Sequence, residues 1–100
     1  MPAQKFTAGH RQRMRQKLLD KGASALSDEE WLEILLYYSI GRGDVKPQVK
    51  QLLAKFKHLG AFAAAPIDQI TEIEGVGEKS ALLIKLLESL SHRTAKIQAL

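Results

Sequence analysis

Two glycines separated by one small apolar residue, Gly75-Val76-Gly77, lie between Ile73 and the run Glu78-Lys79-Ser80-Ala81-Leu82-Leu83-Ile84. Glycine takes positive φ without a Cβ clash, so this spacing predicts a sharp turn from the end of one helix into a long apolar one. The first N–H groups of the second helix, around Gly77 to Ser80, have no partner within it. At the positive end of a helix dipole, such groups suit a phosphate oxygen. Val76 and Ala81 are expected to pack between the two helices, where a small residue at 81 permits close approach. This is the pattern of a helix-hairpin-helix element, which grips a nucleic-acid backbone without reading bases.

The rest of the chain reads as helix as well. A polar helix is expected from about His10 to Lys21, with Met14, Leu18 and Leu19 as its apolar contacts and Gly22 as its stop. Ser27 followed by Asp28, Glu29 and Glu30 is a capping box. It opens a helix whose Trp31, Ile34, Leu35 and Tyr38 share one face. Gly41-Arg42-Gly43 ends that helix. A third runs from about Val45 to Lys57, with Pro47 in its first turn and Val49, Leu52, Leu53 and Phe56 on one face. Gly60 is read as its stop, Ala61–Ala65 as a connector, and Pro66 as the start of a short helix carrying Ile67, Ile70 and Ile73. The last helix spans Glu78 to about Ala95. No β pattern competes.

An offset of 34 residues carries Gly41 onto Gly75 and Gly43 onto Gly77, Val49 onto Leu83, and Leu52 and Leu53 onto Leu86 and Leu87. The chain is therefore expected to be all-α, a compact domain of five to six helices built as a tandem helix-hairpin-helix unit. Its first copy is degenerate, since Arg42 stands where Val76 plugs the second. The domain is placed at 9–95, between a flexible arm at 1–8 and a loose end at 96–100.

The 45% apolar content of 100 residues supports one real core. There is no cysteine, so disulfides and thiolate metal sites are impossible, which fits a cytoplasmic protein. No apolar run approaches the roughly 18 residues of a membrane span, so no membrane partner is expected. The net charge of +4 is unevenly spread. Lys5, Arg11, Arg13, Arg15, Lys17 and Lys21 crowd the first 21 residues, and Asp28, Glu29, Glu30 and Glu33 follow. His10, His58 and His92 are too scattered to form a metal site, which needs three or four converging ligands. Capping explains Asp28, Glu29 and Glu30, and solvent exposure is expected for Glu33. Trp31 and Tyr38 read as core, with Tyr37 less settled. Neither a catalytic constellation nor a cofactor site is expected.

The stretches Gly9-His10-Arg11-Gln12-Arg13, Leu26-Ser27-Asp28-Glu29-Glu30, Asp44-Val45-Lys46-Pro47 and Gly75–Ala81 together resemble the N-terminal region of the RadC family, bacterial proteins historically labelled DNA repair factors. The resemblance covers about residues 9–93. Full-length members continue into a metalloprotease-like domain with a His-x-His and aspartate zinc motif, which this sequence does not contain. It implies a non-enzymatic, non-sequence-specific nucleic-acid-binding module whose partners are DNA phosphates and, in full-length relatives, that second domain. The residues expected to carry the contact are Gly75, Val76, Gly77, Lys79 and Ser80, helped by Arg11, Arg13 and Arg15. Glu72, Glu74 and Glu78 around the hairpin favour a second class, a protein-interaction or regulatory module that keeps the fold without binding DNA.

Overall fold

The computed structural model describes the backbone of residues 2–99 and the side chains of 9–95. Among the described residues there are six α-helices, one 3-10 turn and no strand. The helices are α1 (Pro2–Lys21), α2 (Asp28–Ser39), α3 (Lys46–Phe56), α4 (Leu59–Ala64), α5 (Ile67–Thr71) and α6 (Glu78–Ala99), with the 3-10 turn at Ala23–Ala25. The all-α class holds. Helix α2 is the hub, packing against α1, α3 and α6, while α6 also packs on α4 and α5.

The predicted capping box at the start of α2 is present. Ser27 Oγ accepts from the Glu30 N–H at 3.1 Å, and Glu30 Oε1 accepts from the Ser27 N–H at 3.0 Å. Helix α3 starts at Lys46, whose amide donates to Asp44 Oδ1 at 3.0 Å, with Pro47 in the first turn where its missing N–H costs nothing. The core is one cluster: Leu32, Leu35 and Leu36 of α2, Val45, Val49, Leu52 and Phe56 around α3, Phe62, Ile70, Ile73 and Val76, and Ala81 and Ile84 of α6.

Several expectations need correction. Helix α1 begins at Pro2, well before His10, its Leu19 is 79% exposed and lies outside the core, and α6 runs to Ala99, past Ala95. Residues 3–5 and 96–99 lack an apolar stripe, but Ala, Gln and Lys are good helix formers and extend existing helices without one. Met1 and Leu100 lie outside the described residues. Gly60 does not stop α3. Lys57 does, at φ 71, and Gly60 lies inside α4, which replaces the expected connector. His58 opens α4 by accepting from the Ala61 N–H at its Nδ1, at 3.2 Å.

The buried face of α2 is also rotated from the expected one. Leu32 and Leu36 are fully buried, Trp31 is only half-buried, and Tyr38 is 69% exposed. Glu33, expected in solvent, is 4% exposed.

The glycine pairs line up in a different register from the expected one. Gly43 and Gly75 both have φ 89, whereas Gly41 and Gly77 do not have positive φ. An offset of 32 carries Gly43 onto Gly75, the α3 start at Lys46 onto the α6 start at Glu78, and buried Val49 and Leu52 onto buried Ala81 and Ile84. The expected offset of 34 instead pairs buried Leu52 with Leu86, which is 69% exposed. Matching glycine spacing alone misplaced the register, because the left-handed residue is the second glycine of one pair and the first of the other.

Candidate nucleic-acid interface

Residues Glu72 to Gly77 form the turn between α5 and α6, tied off by the Val76 N–H on the Ile73 carbonyl at 3.0 Å. Val76 and Ala81 are buried, as the hairpin pattern predicted. Helix α6 starts directly after Gly77, which has no side chain with which to accept from the first-turn amides. Helix α2 has the Ser27 and Glu30 side chains on its first turn, and α3 has Asp44. Gly77 offers the amides entering α6 no side-chain cap, and these amides carry the positive end of a 22-residue helix.

Two contacts that sequence spacing did not suggest bring the other turn alongside. Ser39, the last residue of α2, meets Ser80 in the first turn of α6, with the hydroxyls 2.7 Å apart. Gln48, in the first turn of α3, lies so close to Gly75 that a Cβ there would collide with its side-chain amide. The Gln48 side-chain oxygen is buried and has no hydrogen-bond partner. The beginnings of α3 and α6 therefore share one edge of the molecule. Arg42 in the 41–43 turn and Lys46 at the start of α3 are exposed, as are Glu74, Glu78 and Lys79 around the second turn. Arg42 and Lys46 were not among the residues expected to carry the contact. The signal was available in the basic 42–57 stretch, but not its neighbour.

The individual candidates differ in role. Gly75 and Gly77 form the turn backbone, and Val76 is a buried plug. Ser80 is 1% exposed and engaged with Ser39, so only its main chain lies near the turn. Lys79 is exposed. Arg11 is a clamp: its guanidinium donates to the carbonyls of Tyr37 (3.4 Å), Ile40 (3.2 Å) and Gly43 (2.8 Å), and lies 4.4 Å from the Tyr37 ring centroid. It holds the end of α2 and the 41–43 turn against α1. Arg13 and Arg15 are exposed on α1. Lys85 donates to the Ala63 carbonyl at 2.8 Å, and Lys55 binds both the Gln69 carbonyl and Glu72, each at 2.7 Å. The carboxylate of Glu72 is thus already paired, which thins the acidic rim to Glu74 and Glu78.

The other polar side chains fix α1 to α2. Buried Glu33 meets His10 Nε2 at 3.4 Å. Lys17 reaches Glu30 at 2.7 Å. That hydrogen bond, then the Ser27 N–H, hold the Glu30 carboxyl below the ordinary range. Burial first, then the charge of Glu33, push the Tyr37 hydroxyl up to about 12, against the opposing effect of Arg11. Among the described residues no group of three or more His, Asp or Glu could hold a metal ion, and no helix is long and apolar enough to cross a membrane.

Residues 7–82 match the family model described as UPF0758 N-terminal. A UPF0758 protein of Ruegeria pomeroyi (strain ATCC 700808 / DSM 15171 / DSS-3) is 40% identical over 95 residues, covering 95% of this chain and 42% of that protein. The chain thus spans about two fifths of the length of that relative. No solved structure matches it. A match over most of the chain, from α1 into the first turn of α6, places this protein in the UPF0758 family, the RadC-like family, as its N-terminal domain.

Proposed function

We propose that the domain binds nucleic acid through its phosphate backbone, with low sequence specificity, as a tandem helix-hairpin-helix unit. The observation that carries this reading is the shared edge: the α3 and α6 starts are brought together by Ser39 with Ser80 and by Gln48 with Gly75. In this reading the first-turn amides at Gly77–Ser80 cradle a phosphate, and exposed Lys79, Arg42 and Lys46 supply charge. The module has no hydrolytic chemistry of its own in this reading. It acts in the cytoplasm in DNA repair and tethers the metalloprotease-like domain of full-length relatives to DNA.

The test is fluorescence anisotropy with two unrelated duplexes at low and moderate salt. With about two to four phosphates neutralised, log affinity falls against log salt with a slope of about −2 to −4. Lys79→Glu weakens both duplexes alike, and Glu78→Lys strengthens both, because it removes a carboxylate from the cradle. No binding at low salt, or no response to either reversal, overturns the reading.

A further inference from the structure

Helix α6 has two apolar faces, and the fold uses one. Ala81 and Ile84 enter the core. On the other side, Leu82, Leu86 and Leu90 are 45%, 69% and 60% exposed, and Leu87 lies beside them. At 100° per residue these positions form one continuous stripe, wider than a solvated helix surface normally carries. The stripe does not stop at α6. An apolar groove of about 450 Å³ continues it across Leu83 and Leu87 to Trp31, Tyr38 and Leu18. A second groove runs from Trp31 along Leu90 to Ala95. Contiguous exposed apolar surface of this kind marks an interaction site.

We infer that this leucine face of α6 docks the polypeptide that follows the domain in its longer relatives. The matched family model is N-terminal, and the chain spans only 42% of the Ruegeria pomeroyi relative. The remaining polypeptide of such a relative therefore leaves from the far end of α6, the helix that carries the stripe. A domain joined there meets the stripe at the high effective concentration that a short covalent link provides. Its contact is an apolar one, since Leu86, Leu90 and Tyr38 offer no charge to read. The proposed phosphate contacts lie at the first turn of α6, and the stripe runs from Leu82 toward the other end of the helix. The inference rests on family membership and length, and not on nucleic-acid binding, so either can fail alone.

The experiment compares backbone hydrogen exchange over residues 82–95 in two settings. One is this 100-residue chain; the other is a chimera in which it replaces the matching N-terminal residues of the Ruegeria pomeroyi protein. Exchange slowed at least tenfold in the chimera is expected, with the protection lost in L86E/L90E, whose positions are exposed in the domain itself. Should the chimera not fold, the intact Ruegeria protein is compared with its own fragment ending at the residue aligned with Leu100, with the same expectation for its counterpart of α6. Equal exchange with and without the following polypeptide overturns the inference. So does concentration-dependent sedimentation of the 100-residue chain that L86E/L90E abolishes, because a second copy would then be the occupant.

Discussion

Single residues decide the geometry of the candidate edge, and the two glycines of the second turn are not equivalent. Gly75 is left-handed and has the Gln48 amide where a Cβ would go, whereas Gly77 has neither constraint. Gly75→Ala is expected to lower the urea midpoint by the equivalent of about 1–3 kcal/mol, with Gly77→Ala well below that. Equal losses would mean the turn is not built around Gly75. Gly43→Ala, at the same φ but in open space, should fall between them. Tyr37 offers a second test. Its hydroxyl is pushed to about 12 in the folded chain. The neutral ring is therefore the favoured native form, and its contribution is complete below the unfolded value of about 10 and disappears as pH rises through about 12. Absorbance titration should resolve a tyrosine ionising near 12 that Tyr37→Phe removes. Glu30 works in the opposite direction. Its lowered pKa gives stability present above the ordinary carboxylate range and lost as pH falls through the folded value. Acid unfolding of Lys17→Met should start at higher pH than that of the parent chain, since Lys17 is the main cause of the shift. Coincident acid transitions would contradict it.

At the scale of elements, legibility followed locality. The Ser27–Glu30 box lies within four residues and was readable outright. Helix α4 was missed because Leu59–Ala64 has no polar face to set a period, and its cap is a histidine. The α3 stop was assigned to Gly60 when Lys57 performs it at φ 71, a conformation that side chains tolerate poorly. Lys57→Gly should therefore raise stability by up to about 1 kcal/mol, measured by urea unfolding, as relieved strain outweighs the added chain entropy. A lower midpoint would argue against that backbone. Ala81→Leu should cost about 1–3 kcal/mol by overpacking a fully buried site between α6 and the core. The contacts that create the edge could not be read from the chain. Ser39 and Ser80 are 41 residues apart and Gln48 and Gly75 are 27 apart, with no periodicity linking either pair. The same is true of Arg11, whose charge read as a phosphate ligand while its geometry fastens α1 to the 41–43 turn.

For the whole molecule, the fold separates two surfaces along one long helix. The turn before α6 packs through Gly75 against Gln48 at the start of α3, Arg42, Lys46 and Lys79 are exposed, and the remainder of α6 exposes leucines. In the proposed function both turns act as one phosphate-binding surface. The most direct measurement is the salt dependence of duplex binding for Arg42→Glu and Lys79→Glu, each alone and combined. Each single reversal is expected to weaken binding to any sequence and to make the log–log salt slope shallower by about 1, and the pair to make it shallower by about 2. If Lys79→Glu changes the slope and Arg42→Glu leaves it untouched, or if neither does, the two turns do not form a common interface.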